Sequence, residues 1–138
     1  TGGIAHGALV AHDLGLPFIY VRSSAKEHGM KNQVEGDLTV GRSVVVVEDL
    51  ASTGQSSLNA VEALREAGCE VKGMVSIFTY GFDEATKAFA NAKVHLHSLT
   101  NYSVLIDQAL QDEYITEKDL LPFNEWRKDP ANWGVVKA

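Results

Sequence analysis

Two adjacent carboxylates, Glu48 and Asp49, end the apolar run Ser43-Val44-Val45-Val46-Val47, and Leu50-Ala51-Ser52-Thr53-Gly54-Gln55-Ser56 follows them. Carboxylates in that place accept hydrogen bonds from hydroxyl groups or hold a divalent cation. The small-residue stretch that leads into a helix offers free backbone N–H groups and a favourable dipole to an anion. The dipole alone supplies about 0.3–1 kcal/mol, too little to hold a phosphate against water. Each hydrogen bond to a charged group adds about 1.5–3 kcal/mol, so several N–H groups with the hydroxyls of Ser52, Thr53 and Ser56 suffice. Gly54 lets the backbone approach closely or adopt a positive φ. The acids would repel a bare phosphate. A sugar phosphate satisfies both ends, its phosphate in the loop and its ribose hydroxyls on Glu48 and Asp49.

Rival phosphate motifs lack their required parts. No lysine follows the glycine, as a P-loop needs, and no GxGxxG is present for a dinucleotide. A phospho-receiver domain would place acids and Thr79 at strand ends, but its later lysine after a strand is missing. The plainest alternative is a solvated strand-end turn that caps a helix with Ser and Thr. A second charged group, Arg22, Lys26 and His28, lies in a long polar stretch, where residues of these types are otherwise ordinary solvated loop charges.

The elements that position these residues follow from periodicity. Ile4 to Leu14 has a small-residue helical pattern, stopped by Gly15 and Pro17. Phe18 to Val21 predicts a short strand, and Ser23 to Thr39 a mobile loop without period. The β-branched run Ser43 to Val47 predicts a strand buried on both faces of a parallel sheet. Leu58, Val61 and Leu64 predict a helix over Ser56 to Ala67, with Gly68 as its stop. A strand over Val71 to Thr79 comes next, then a helix capped by Asp83 and running to about Asn91, then a strand over Val94 to Leu99. Asn101 or Ser103 begins a helix through Ala109, and Thr116 with Asp119 resembles a capping box for a last helix. This alternation predicts an α/β fold with a mostly parallel twisted sheet flanked by helices. Ligands of such sheets bind beyond the carboxyl ends of the strands, where Glu48 and Asp49 stand.

The 138 residues fit one domain, 1–138, with a single core. A net charge of −6 argues against nonspecific nucleic-acid binding, though not against a small anionic ligand in a local positive pocket. The single cysteine, Cys69, excludes an internal disulfide and suits a reducing compartment. No run approaches the roughly 18 apolar residues of a membrane span, so the expectation is a cytoplasmic protein without membrane association. The opening Thr1-Gly2-Gly3 lacks a Met and begins inside a loop, which predicts a fragment of a longer chain.

VVVVEDLASTGQS resembles the phosphoribosyl-diphosphate (PRPP) motif of type I phosphoribosyltransferases. YVRSSAKEHGMKNQVEG is similar to the catalytic loop of the orotate phosphoribosyltransferases, and TGGIAHGALVAHDLGLPFIYVR to their pyrophosphate loop and following helix. The resemblance covers nearly the whole chain but not the family's N-terminal part. It implies that Glu48 and Asp49 hold the ribose 2- and 3-hydroxyls. Leu50 and Ala51 would line the site, Thr53, Gly54, Gln55 and Ser56 would wrap the 5-phosphate, and Ser52 would lie near the orotate ring. Arg22, Lys26 and His28 would bind the pyrophosphate group, with Lys26, His28 and Asp49 as the catalytic residues. Mg²⁺ would arrive on PRPP without direct protein ligands, and a homodimer would share the Lys26–His28 loop across subunits. The implied activity is phosphoribosyl transfer from PRPP to orotate in pyrimidine biosynthesis. A PRPP- or nucleotide-binding regulator of the same fold, and a transferase for another base, are the alternatives.

The chain departs from some members in three places. Ser23 and Gly2 stand where those members have lysines, and Phe78-Thr79-Tyr80 stands near an arginine that meets orotate. The remaining candidates have structural explanations. His12 lies on a helix face, and His95 and His97 share a strand face with no third ligand near in sequence. His6 neighbours the pyrophosphate loop. Tyr80, Tyr102, Trp126 and Trp133 are expected to pack.

Overall fold

The computed structural model describes residues 2–23 and 33–133. Its elements run α1 (Gly3–Leu14), β1 (Ile19–Val21), β2 (Val34–Gly36), β3 (Ser43–Ala51), α2 (Gln55–Glu66), β4 (Glu70–Thr79), α3 (Asp83–Asn91), β5 (Leu96–Asn101), α4 (Tyr102–Gln111) and α5 (Glu117–Lys128). Strands β3, β4 and β5 form a parallel sheet in that order, and β1 and β2 form a separate antiparallel ribbon. Parallel neighbours need crossover helices, which α2 and α3 supply. Both helices cover the same face, where Val61 of α2, Met74 of β4 and Ala85 and Phe89 of α3 form the buried core with Val94.

Local chemistry explains the helix ends. Gly15 ends α1 in the left-handed region at φ 65°, a conformation without penalty only for glycine. The Asn101 side chain accepts from the Val104 N–H at 3.1 Å and caps α4. Thr116 and Asp119 form the expected capping box of α5. Phe82 rather than Asp83 is the N-cap of α3. Asp83 is its first helical residue, where its charge meets the positive end of the helix dipole.

Two expectations need correction. Strand β3 is not buried on both faces: Val45 is 56% exposed and Leu99 of β5 76%, with Val75 and Ile77 also open on β4. Among the described residues α1 packs closely against β3 alone of the three sheet strands. The stretch Ser23 to Thr39 is also not wholly a loop, because Val34–Gly36 pairs with Ile19–Val21. Three residues are too few to display a period. The ribbon is extended by Arg22 N–H donating to the Gln33 carbonyl at 2.9 Å and by Gln33 Nε2 donating to the Arg22 carbonyl at 2.8 Å. The predicted catalytic residues Lys26 and His28 lie outside the described residues.

Candidate active site

Glu48 and Asp49 belong to β3 itself, which continues past them to Ala51, paired as Glu48↔Ser76, Leu50↔Phe78 and Ala51↔Thr79. The strand is four residues longer than the apolar run, because pairing to β4 does not need apolar side chains. The starts of two helices converge on these acids. From α2, the buried Ser57 Oγ donates to Glu48 Oε1 at 3.2 Å. From α1, a Cβ at Gly3 would come within 2.5 Å of the Val47 carbonyl oxygen and 2.9 Å of Glu48 Oε2. A Cβ at Gly2 would push the Asp49 carboxylate aside. The two glycines therefore let the positive end of α1 approach the acid pair, a stabilising arrangement for negative charge. A lysine at Gly2, as some family members carry, would displace Asp49.

Burial raises the Glu48 carboxyl above its ordinary value, and the Ser57 hydrogen bond partly opposes this by favouring the charged form. Sequence reasoning missed Ser57. Its only signal was the Ser56-Ser57 pair at a helix start, where helical rotation leaves Ser56 exposed and turns Ser57 inward. Ser57→Ala is expected to raise the Glu48 titration midpoint further, read from the NMR shift of its side-chain carboxyl carbon. A fall would contradict the assignment. A carboxyl with a raised value binds its proton more tightly in the folded state. It therefore favours folding at low pH, and that contribution is lost as pH rises through the folded value. The destabilisation by Ser57→Ala, about 1 kcal/mol, should accordingly be larger above that value than below it.

The loop after the acids turns at Ser52–Gly54. Leu50 is partly exposed, Ala51 and Gly54 are buried, Ser52 is half-buried, and Thr53, Gln55 and Ser56 face solvent. Gly54 has φ 86° and ψ −7° as the N-cap of α2, so the positive φ expected there is present. A second constraint was not legible: a Cβ on Gly54 would stand 2.9 Å from the Phe89 ring in the core. The helix begins at Gln55, one residue earlier than expected, with Leu58 N–H donating to the Gly54 carbonyl at 2.8 Å. The N–H groups of Gln55, Ser56 and Ser57 thus have no intrahelical acceptor. Glu48 and Asp49 near the end of β3 and these N–H groups at the start of α2 are thus separated only by the five residues from Leu50 to Gly54.

Arg22 stands apart, beyond β1 in the ribbon. Its Nη1 is paired with Glu35 Oε1 at 3.7 Å and, among the described residues, makes no hydrogen bond. Among the described residues no hydrogen bond or ion pair joins it to the loop. His6, His12, His95 and His97 are exposed, and no group of three or more His, Cys, Asp or Glu among the described residues is placed to hold a metal.

Past β4, the place of the missing arginine holds aromatic rings. Tyr80 stacks on Phe82 at 5.3 Å and meets Trp126 at 5.5 Å, and Trp126 lies 5.3 Å from Tyr102. These residues pack, as expected. Arg127 of α5 reaches the same turn, with Nη2 donating to the Gly81 carbonyl at 3.2 Å.

A phosphoribosyl transferase domain model matches residues 1–102. The chain belongs to the phosphoribosyltransferase family. This phosphoribosyltransferase is 59% identical over 137 residues to the orotate phosphoribosyltransferase of Bacteroides thetaiotaomicron, covering 99% of the chain and 65% of that relative. It is 54% identical over 135 residues to the Porphyromonas gingivalis orotate phosphoribosyltransferase, covering 98% of the chain and 64% of the relative. The chain thus spans about 65% of the length of such relatives. The Aeropyrum pernix orotate phosphoribosyltransferase crystal structure superposes with a TM-score of 0.70 at 36% identity, over 78% of this chain and 60% of that one. A Mycobacterium tuberculosis orotate phosphoribosyltransferase in complex with PRPP gives a TM-score of 0.54 at 30% identity, over 64% of this chain and 49% of that one. The phosphoribosyltransferase fold expected from the sequence is therefore present.

Proposed function

We propose that this chain is the ribosyl-transfer core of an orotate phosphoribosyltransferase, moving the 5-phosphoribosyl group from PRPP to orotate and releasing pyrophosphate. The observation that carries it is the acid pair at the end of β3 joined to a loop that turns at Gly54 into the start of α2. The identity to orotate phosphoribosyltransferases and the fold shared with a PRPP complex support it.

In this site the loop and first-turn N–H groups hold the 5-phosphate, and Glu48 and Asp49 accept hydrogen bonds from the ribose hydroxyls. A ring nitrogen of orotate gives up its proton to solvent and attacks the anomeric carbon, and the bond to pyrophosphate breaks with its electron pair leaving on the phosphate oxygen. Positive charge then grows on the sugar and negative charge on the leaving group. Arg22 and Lys26 stabilise the leaving charge, a preorganised electrostatic effect, and His28 donates a hydrogen bond or proton to it. Mg²⁺ fits this donor set as an ion held largely by PRPP oxygens and water, because two carboxylates cannot fill its octahedral shell. It would supply further neutralisation of pyrophosphate. The enzyme works in the cytoplasm as a homodimer, with the Lys26–His28 loop closing over the neighbouring site and excluding water.

Binding tests the site directly. Saturable PRPP binding by calorimetry, competed by ribose 5-phosphate, is expected, and absence of both would contradict the proposal. Lys26→Ala is expected to lower kcat by about a hundredfold or more while PRPP affinity falls less than tenfold, since its partner charge grows in the transition state. Equal losses in steady-state kcat and calorimetric affinity would remove that role.

A further inference from the structure

The Ala51 carbonyl is the last backbone acceptor of β3 before the loop departs, and Ala51 is fully buried. Thr79 Oγ1 donates to it at 2.9 Å. The same hydroxyl accepts from the Gly81 N–H at 3.1 Å, so both its donor and an acceptor position are committed and its direction is fixed. The Tyr80 N–H also points at the Ala51 carbonyl, at the longer distance of 3.4 Å. Gly81, at φ 64°, is anchored in turn by Arg127, whose Nη1 donates to Ser103 Oγ at 3.1 Å. A chain of hydrogen bonds therefore runs from α4 and α5 through Gly81 and Thr79 to the root of the loop.

We propose that Thr79 is a positioning residue for the phosphate-binding loop. The peptide group is planar, so holding the Ala51 carbonyl also sets the direction of the Ser52 N–H, a donor of that loop. The proposal deepens the ribose-phosphate assignment of the loop and rests on it for its consequence in binding. Thr79 does not touch the ligand. It acts through Ala51, and its place at a strand end gives no sequence signal that separates it from a turn residue.

The test compares Thr79→Val, which keeps the shape and removes the hydroxyl, with Thr79→Ser, which keeps it. The first readout is NMR amide exchange at Tyr80, whose N–H donates to the same Ala51 carbonyl, and needs no ligand. The valine variant is expected to exchange there about tenfold faster, with β4 and α2 interior amides unchanged, and the serine variant to stay within about threefold of the parent. The second readout is ribose 5-phosphate affinity, expected to fall about tenfold in the valine variant alone. If the valine variant does not fold, Thr79→Cys, a weaker donor, is expected to fall between parent and valine behaviour. Unchanged Tyr80 exchange in a folded valine variant, or equal acceleration in the serine variant, would overturn the proposal. If the parent itself fails to bind ribose 5-phosphate, the ligand assignment fails while the exchange result still decides the role of Thr79.

Discussion

Asp49→Asn is expected to weaken PRPP and ribose 5-phosphate binding by about tenfold to a hundredfold, the range for losing one charge-assisted hydrogen bond. The substitution keeps the shape that packs against Gly2, so the loss reports charge and acceptor capacity rather than packing. Inorganic phosphate supplies the control, because it occupies the loop without ribose hydroxyls. Its affinity should be unchanged or slightly improved once a neighbouring negative charge is removed. Calorimetry with the three ligands separates the outcomes. Unchanged affinity for ribose 5-phosphate would remove the hydroxyl-binding role of Asp49, and an equal loss for inorganic phosphate would point to a displaced loop instead.

Gly54→Val is expected to abolish measurable sugar-phosphate binding and to lower the melting temperature by several degrees. Two independent costs act on it. A β-branched residue at φ 86° is strained by about 1–3 kcal/mol. Its Cβ would also stand 2.9 Å from the Phe89 ring, and overpacking of a formed core costs about 1–3 kcal/mol more. Neither cost can be relieved without moving the start of α2, which carries the N–H groups assigned to the phosphate. Gly54→Ala removes the branching but keeps the φ and the close approach, so it should show a smaller loss of both binding and stability. A sugar phosphate bound by Gly54→Val at parental affinity would sink the cradle.

Much of this site could be read in the residue order. The apolar run followed by Glu48-Asp49 and the Gly54 turn marks a strand and the helix after it, although β3 runs four residues further than the apolar run and α2 begins one residue earlier than its periodicity indicates. The helices bounded by Gly15 and by Thr116–Asp119 were legible because caps are local chemistry. Long-range facts were not. The exposed Val45 and Leu99 depend on what covers the sheet, and an apolar run cannot tell how many of its faces have neighbours. The three-residue strand Val34–Gly36 is defined by its partner β1 rather than by its own pattern. Ser57, Thr79 and the Phe89 ring beneath Gly54 act across elements, at distances that spacing in sequence does not encode. Lys26 and His28 enter through family resemblance alone.

The most direct measurement is the loss of orotate ultraviolet absorbance after addition of PRPP and Mg²⁺. It should be run on this chain and on a version extended at its N-terminus to the length of its relatives, with hypoxanthine, adenine and uracil as competing bases. Orotate consumption by the extended chain, with stoichiometric pyrophosphate release and no turnover of the other bases, is the result expected. Tight PRPP binding with no consumption of any base by either chain would contradict it, and would make the protein a PRPP-binding regulator of the same fold.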